Sequence, residues 1–440
     1  MTLLMWNCKR LLLFNCLPSL VKHCKKCSHF QKQLLCSFSL RTFFSGPQLN
    51  QTSNAKQTFN PKKAVILSKV TRYEYEKLLF GDGTEEQLIQ NLRGKMSDYY
   101  GLLQRHNIHQ QCVQNITKSL EDLGIETKVV QRFDFDSNLI NWADIVISAG
   151  GDGTFLSAAS KITNRDKAVI GINTDPSRSE GYLCLPKIKT YNLKSMKASF
   201  AKLLAGDFRW KWRQRIRISM SGKYMYDDPV ELHDQQLHFH EHRFTEHVRE
   251  NEMFNKNESL TPKDTTRILP LLALNEVFMG ESLSSRVSYY ELSIDEAPKI
   301  KLKSSGITVC TGTGSSSWHF HINHIPQQSV QEILKLAGKV AKCDLNWSSD
   351  TVRKVTESFN QSLWFDPEIP KMAYTIRDPV MNSVFQIPNP RGCVHKIKVH
   401  SRMWDACLVI DGGSSFTFND GAEATLEIHE EDALRTVSLD

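Results

Sequence analysis

The chain has 440 residues, 40% of them hydrophobic and 23% charged, which is typical of a globular protein long enough for two domains. No window approaches 18 uninterrupted apolar residues, so no membrane-spanning helix is predicted. The formal net charge is +7, but residues 1–62 hold nine Lys and Arg and no acid, which leaves 46 basic against 48 acidic residues in the remainder. Net charge therefore gives no support to a nucleic-acid-binding function.

Residues 1–61 predict a mitochondrial transit peptide. The segment is basic and contains Ser, Leu and Phe, and the first acidic residue of the whole chain is Glu74. Transit peptides have this acid-poor composition, whereas a secretory signal needs one apolar core and a small-residue cleavage site. We expect maturation between Thr42 and Lys62 and a location in the matrix; the alternative is a disordered basic tail.

Residues 62–190 alternate strand and helix patterns. The apolar run KKAVILSKV predicts a first strand, and residues 84–124 predict two helices, the second ending at a glycine. IETKVVQRF and ADIVISAGG predict further strands, and a helix with small residues and the strand KAVIGINTDP follow. This alternation predicts an α/β N-terminal domain with a Rossmann-like open parallel sheet.

Residues 191–440 predict a β-rich second domain. After one helix, the run FRWKWRQRIRISMSG alternates polar and apolar residues as a half-exposed strand does. Further strand-like runs include ILPLLALNEVFMG, VSYYELSID, SSGITVCTGTG, ACLVIDGG and GAEATLEIHE. A polar insertion at about 227–264 interrupts them. Its His238 and His242 have a spacing that suits zinc on a helix, but their charged surroundings favour a solvated loop.

A G-G-D-G-T motif lies between a predicted strand and a predicted helix, where open α/β sheets bind ligands. Gly150, Gly151 and Gly153 let backbone N–H groups approach anionic oxygens, and the helix dipole adds to that attraction. Asp152 would repel phosphate, so its expected task is to orient an acceptor hydroxyl or take its proton. The motif indicates phosphoryl transfer to an alcohol; the alternative is a tight turn with an Asp helix cap.

This motif resembles the signature shared by NAD kinases, diacylglycerol and sphingosine kinases and, more loosely, 6-phosphofructokinases. Two further stretches separate these families and resemble NAD kinases: Asn275-Glu276 in the run A-L-N-E, and SSGITVCTGTGSSSW at residues 304–318. No G-x-x-x-x-G-K-[ST] loop is present, nor a G-x-G-x-x-G after the first strand. The resemblance covers most of residues 62–440 and is closest to the mitochondrial branch of the NAD kinase family in animals.

The resemblance implies that ATP, carrying Mg²⁺, phosphorylates the 2′-hydroxyl of the adenosine ribose of NAD, which supplies the matrix NADP(H) pool. Asp152 would activate that hydroxyl, and Thr154 would line the phosphate path with the three glycines. Contacts to the dinucleotide would come from Asn173, Asn275, Glu276, Gly314, Ser315, Ser316 and Trp318. The family also implies a homodimer.

Several positions depart from the family pattern. Ser305 replaces an Asp, Gly312 replaces a Pro, Gly413 replaces a Gln, and N-x-G-x-L-G-F-L is only partly kept at residues 173–183. The lost carboxylate at Ser305 weakens the expected ribose or nicotinamide contact. This loss supports a non-catalytic dinucleotide-binding sensor as one alternative, and a lipid or sphingoid kinase sharing the G-G-D-G-T loop is another. Asp411, which begins a D-G-G run, fits either a hairpin turn or a part of the site.

Overall fold

Four neighbouring parallel strands begin the first sheet: β1 (Lys63–Ser68), β2 (Glu126–Val130), β3 (Ile145–Gly150) and β4 (Ala168–Asn173). The computed structural model describes residues 59–185, 193–232, 265–341, 348–382 and 389–439. The spatial order is β2-β1-β3-β4, and β1, β3 and β4 are buried almost throughout. The predicted α/β part with a mostly parallel sheet is confirmed.

Six described helices accompany this sheet: α1 (Arg72–Phe80), α2 (Glu85–Gly94), α3 (Tyr99–Glu121), α4 (Ser137–Trp142), α5 (Asp152–Ser160) and α6 (Leu193–Leu204). α2 and α3 are the two helices predicted within 84–124. α1 was not predicted, although Thr71 and Glu74 form a capping box at its start. α3 and α6 contribute to the core on one face of the sheet, and α5 contributes to the core on the other.

Two strands from beyond residue 190 complete the first sheet. β19 (Leu434–Ser438) pairs in parallel with β4 and antiparallel with β5 (Arg209–Arg213). The first sheet therefore includes chain that the sequence assigns to the second domain, and the boundary near residue 190 stays a prediction.

The prediction of one half-exposed strand over the run FRWKWRQRIRISMSG is wrong. The run forms two strands, β5 and β6 (Ile216–Gly222), which belong to different sheets. The Gln214 N–H donates to the Pro367 carbonyl oxygen at 2.9 Å. The buried Arg215 guanidinium donates to the carbonyl oxygens of Ala159 and Ile162 beside the end of α5. The strand therefore divides where the Gln214 N–H is bonded outside the sheet ladder and the Arg215 side chain reaches the end of α5.

Two antiparallel sheets build the β-rich part, which confirms the second element of the predicted fold class. Their strands are β6, β7 (Val230–Glu231), β8 (Thr266–Ile268), β9 (Glu276–Glu281), β10 (Ser288–Ile294), β11 (Ile300–Ser304), β12 (Ile307–Cys310), β13 (Met372–Ile376), β14 (Arg391–Val394), β15 (Lys396–Ser401), β16 (Ala406–Ile410), β17 (Ser414–Thr417) and β18 (Ala422–Ile428). The spatial orders are β11-β10-β15-β18-β6-β8 and β14-β13-β12-β9-β16-β17-β7. One core cluster contains residues of both sheets, including Met279 and Leu426, so the sheets pack face to face.

Three helices that the sequence did not predict lie between β12 and β13: α7 (Trp318–Asn323), α8 (Gln327–Val340) and α9 (Ser349–Gln361). Residues 1–58 of the predicted transit peptide and residues 233–264 of the predicted insertion lie outside the described residues. Across the described part of the chain, no helix combines the length and the apolar character needed to cross a membrane.

Candidate active site

The G-G-D-G-T motif lies where β3 ends and α5 begins, at the carboxyl edge of the parallel strands. Gly150 ends β3 and pairs with Asn173, which ends β4. A side chain at Gly150 would overlap the Thr154 hydroxyl, whereas one at Gly153 would meet no atom within 4 Å. The loop is thus closely packed at its first glycine and open at its last.

Asp152 is the first residue of α5, and its carboxylate faces the segment that follows β4. Its Oδ1 accepts the N–H of Leu183 at 2.9 Å, and its Oδ2 accepts the N–H of Tyr182 at 3.1 Å. Each carboxylate oxygen keeps a further lone pair for an incoming hydroxyl. The stretch NTDPSRSEGYL, which only partly follows the family pattern, therefore positions the predicted catalytic acid.

Asn173 is buried and its amide is engaged within the loop that it begins. Nδ2 donates to the Ser179 carbonyl oxygen at 3.0 Å, and Oδ1 accepts the Asp175 N–H at 3.0 Å. The Ser179 hydroxyl also donates to Oδ1, at 3.2 Å. These bonds fix the loop after β4, and a direct contact of Asn173 with the dinucleotide stays a prediction.

Asn275 and Glu276 lie at the start of β9 and are held by Asp411 in the turn after β16. The Asp411 carboxylate accepts three backbone N–H groups, from Leu274 at 2.8 Å, Asn275 at 2.7 Å and Glu276 at 2.9 Å. Asp411 itself has a φ of 48°. From the sequence, Asp411 could be either a turn residue or a part of the site. In the structure it lies in a turn and supports the A-L-N-E motif directly.

The side chains of Asn275 and Glu276 each bury an oxygen without a partner among the described residues, namely Oδ1 and Oε2. A buried polar atom left unbonded costs about 1–3 kcal/mol. Burial, followed by the charge of Asp411, raises the pKa of Glu276 to about 8. Burial also raises the pKa of Asp411 to about 6, although its three N–H bonds act in the opposite direction. A ligand with hydroxyl or amide donors would satisfy both oxygens.

The T-G-T-G-S-S-S-W stretch packs directly on this pair. The Thr311 N–H donates to the Asn275 carbonyl oxygen at 3.0 Å, and the Thr311 hydroxyl donates to the Leu274 carbonyl oxygen at 2.5 Å. A side chain at Gly314 would overlap the Asn275 carbonyl oxygen. The predicted second and third motifs therefore form one continuous surface, which requires glycine at 314.

Gly312 and Ser315 are buried beneath that surface, and Ser316 is half-buried. A Cβ at Gly312 would overlap the backbone of residues 366–367, which gives a physical reason for glycine where the family has Pro. Ser315 is buried; its hydroxyl donates to the Gly312 carbonyl oxygen at 2.7 Å and accepts the Phe365 N–H at 3.2 Å. The Ser316 hydroxyl donates to the Thr313 carbonyl oxygen at 3.3 Å. Ligand contacts by Ser315 and Ser316 stay predictions.

Trp318 lies at the start of α7 in an aromatic and cationic setting. Its ring packs against Phe278 at 5.5 Å and lies 5.1 Å from the guanidinium of Arg377. Ser305, where the family has Asp, donates its N–H to the Arg377 carbonyl oxygen at 2.9 Å. Ser305 and Trp318 therefore both contact Arg377. Stacking of Trp318 on a ligand stays a prediction.

Arg213, the last residue of β5, links the first motif to the third. Its Nη1 donates to the Thr313 hydroxyl at 3.3 Å. Burial lowers the pKa of Arg213 to about 10, and among the nearby acids Asp152 opposes that shift most. Leu274 makes a second link, since it is fully buried in the core cluster of the α/β part that includes Phe155. Sequence reasoning missed Arg213 because an arginine within a strand belongs to no motif.

Comparison with known proteins gives consistent matches. Residues 76–183 match the family described as ATP-NAD kinase N-terminal domain. NAD kinase 2, mitochondrial, of Rattus norvegicus is 47% identical over 390 residues, with 88% of this chain and 90% of that protein covered. NAD kinase 2, mitochondrial, of Xenopus tropicalis is 43% identical over 430 residues, with coverage of 93% and 99%. A solved structure of yeast NADH kinase complexed with NADH has a TM-score of 0.47 at 14% identity, with coverage of 86% and 84%. The similarity to the two vertebrate proteins thus extends over nearly their whole length.

Proposed function

The chain belongs to the NAD kinase family, as its similarity to the vertebrate mitochondrial enzymes shows, and from that premise we propose how its residues carry out the reaction. It is an ATP-dependent NAD kinase of the mitochondrion. We propose that it transfers the terminal phosphoryl group of ATP to the 2′-hydroxyl of the adenosine ribose of NAD, giving NADP in the matrix.

The buried, unpartnered oxygens of Asn275 and Glu276 carry this proposal. A dinucleotide offers ribose hydroxyls and a carboxamide as hydrogen-bond donors. Both side-chain oxygens project from a backbone segment that Asp411 holds in place. Diacylglycerol has a single hydroxyl donor, which would itself receive the phosphoryl group, so it has no donor left for these two oxygens. Two neighbouring unpartnered oxygens therefore support NAD as the acceptor substrate.

Asp152 is the proposed catalytic residue. Its carboxylate is held by the N–H groups of Tyr182 and Leu183 and can accept the proton of the attacking hydroxyl. The new bond joins the 2′-oxygen to the terminal phosphorus, while the bond from that phosphorus to the bridging oxygen breaks and ADP leaves. No covalent enzyme intermediate is required, because positioning and charge neutralisation supply catalysis in phosphoryl transfer.

We propose that Mg²⁺ arrives bound to the phosphates of ATP, as part of the substrate. Residues 1–61 act as the transit peptide, supported by their basic, acid-free composition. A homodimer follows the family pattern and would cover strand edges of the β-rich part.

A coupled assay with two acceptor substrates tests the proposed function. Purified protein with ATP and Mg²⁺ is expected to convert NAD to NADP and to leave diacylglycerol unphosphorylated. Phosphorylation of diacylglycerol without NADP formation would establish the lipid-kinase alternative. Calorimetric binding of NAD without turnover at any Mg²⁺ concentration would establish the sensor instead.

A further inference from the structure

The break between β5 and β6 brings two arginines to α5, the helix that begins with Asp152. The Arg215 guanidinium lies at the end of α5, where its Nη1 donates to the carbonyl oxygens of Ala159 at 3.3 Å and Ile162 at 2.6 Å. The negative end of the helix dipole lies there, and a cation stabilises it. Arg213 lies near the beginning of the helix, since Asp152 is the acid whose charge acts on it most. The two arginines therefore lie at opposite ends of the helix that carries the proposed catalytic residue.

Arg213 is a cation whose hydrogen bonds do not balance its charge. Its Nη1 donates to the Thr313 hydroxyl at 3.3 Å, and its Nε is buried without a hydrogen-bond partner among the described residues. Burial lowers the pKa of Arg213 to about 10, so the guanidinium still carries its charge at physiological pH. A neutral hydroxyl offsets little of the cost of burying a charge, whereas a nearby acid offsets more of it.

Two of the acids near Arg213 are engaged elsewhere or exposed. Glu368 forms an ion pair with Arg209, with 2.6 Å between Oε2 and Nη1. Asp366 is exposed to solvent, and its Oδ1 accepts the Glu368 N–H at 2.9 Å. Both act on the charge of Arg213 less than Asp152 does. Asp152 is therefore the acid that balances Arg213 best.

Core packing places Arg213 near the same segment independently of charge. Arg213 pairs with Leu434 across β5 and β19. Leu434 shares a buried core cluster with Leu183 and with Phe155 of α5. The Leu183 N–H donates to Asp152 Oδ1 at 2.9 Å. The strand pair thus holds Arg213 near the residues that orient the Asp152 carboxylate.

We propose that Arg213 is a positioning residue for the phosphoryl transfer: its positive charge keeps the Asp152 carboxylate ionised, while its bond to Thr313 ties it to the third motif. The inference rests on the proposed function and deepens it. Asp152 can take the proton of the 2′-hydroxyl only while it is ionised, and a nearby cation favours that form. The proton passes from the 2′-oxygen to Asp152, and Arg213 keeps its own protons throughout. Arg213 therefore acts through Asp152 and contacts no reacting atom.

The pH dependence of kcat tests this role. Arg213→Gln removes the cation, so Asp152 takes up a proton more readily and the acid side of the profile should move up by about one pH unit. The defect in kcat is then about tenfold at low pH and decreases as the pH rises. The KM for NAD and the KM for ATP should stay within about twofold of the parental values. Saturating ATP, Mg²⁺ and NAD are used for parent and variant alike, so titration of the substrates affects both profiles equally.

Two further variants separate the charge of Arg213 from its size and from the general charge of the strand. Arg213→Lys keeps a cation and should keep the acid side of the profile near its parental position. Arg209→Gln is the matched control, because Arg209 is an exposed cation of the same strand that is paired with Glu368. This control should leave kcat at the parental level at every pH.

A second charge-free variant, Arg213→Met, covers the case in which glutamine is not tolerated, because an apolar side chain suits a buried position. An acid side that does not move in the charge-free variant that folds would overturn the proposal, as would a raised KM without that shift. Failure of both charge-free variants to fold, seen as loss of a cooperative melting transition, would show a purely structural role and overturn it as well. A parent protein that forms no NADP would instead remove the proposed function, and with it this inference.

Discussion

Asp411 accepts the backbone N–H of Asn275 at 2.7 Å, and this bond joins the turn after β16 to the A-L-N-E motif. The same carboxylate accepts the N–H groups of the residues on either side of Asn275. The unpartnered side-chain oxygens of Asn275 and Glu276 therefore project from a backbone that is fixed before any ligand binds. Preorganisation of this kind lowers the entropy cost of binding.

Asp411→Asn is expected to weaken this support. In the variant, an amide nitrogen replaces one of the two carboxylate oxygens that accept these N–H groups, so at least one of the three hydrogen bonds is lost. The remaining bonds are weaker because the acceptor no longer carries a negative charge. We expect a loss of about 1–3 kcal/mol in the free energy of unfolding, measured by denaturant titration, and a raised KM for NAD. Asp420→Asn, at an exposed position, is the control and should change neither quantity measurably.

Asp152→Asn should abolish most turnover and keep the fold. Asparagine can still accept one backbone N–H from the Tyr182–Leu183 segment, but it cannot take the proton of the 2′-hydroxyl. NADP formation is expected to fall by about 10²-fold or more, with thermal melting close to that of the parent. A variant that makes NADP at nearly the parental rate would show that Asp152 is not the catalytic acid-base group.

The pKa of Glu276 predicts a pH-dependent stability. Its ordinary value is 4.5 and its value in the fold is about 8, so between these limits the folded chain holds a proton that the unfolded chain releases. Raising the pH through this window therefore removes stability. In Glu276→Gln, which has no proton to lose, the melting temperature relative to the parent should increase from pH 5 to pH 8. A difference that is constant with pH would contradict the assignment.

Two glycine substitutions should give opposite outcomes. At Gly314, an added methyl group would overlap the Asn275 carbonyl oxygen, so Gly314→Ala is expected to cost about 1–3 kcal/mol of folding free energy. At Gly153, the methyl group would meet open space, so Gly153→Ala should keep or raise stability and instead reduce activity by obstructing the phosphate path. Thermal melting and NADP assays on the pair check both expectations. Equal melting of the two variants would contradict the close packing at 314.

The sequence predicted the fold class because continuous apolar runs mark buried parallel strands and alternating runs mark the β-rich part. It did not predict the break between β5 and β6, where Gln214 and Arg215 bond to partners that are distant in the chain. α7, α8 and α9 were missed as well. These three helices lie between strands of one sheet, and their stretch of sequence was not assigned to any element.

Only some residues of the candidate site could be predicted from the sequence. Motif residues such as Asp152 and Asn275 could be proposed from local pattern and resemblance, and their roles stay predictions. The task of Asp411 depends on a turn meeting a strand 135 residues away in the chain, at Glu276. Arg213 carried no signal in the sequence, because its contact with Thr313 depends on how β5 meets the third motif.

The position of β19 between β4 and β5 has a consequence for biogenesis. The sheet that carries the G-G-D-G-T motif receives one of its inner strands from residues 434–438, which lie far along the chain from β4. It cannot close until these residues have been synthesised. Until residues 434–438 arrive, the buried strand β4 has an open edge that can pair with other chains. A premature stop shortly before residue 434 would therefore produce an aggregation-prone chain, even though every predicted catalytic residue is present.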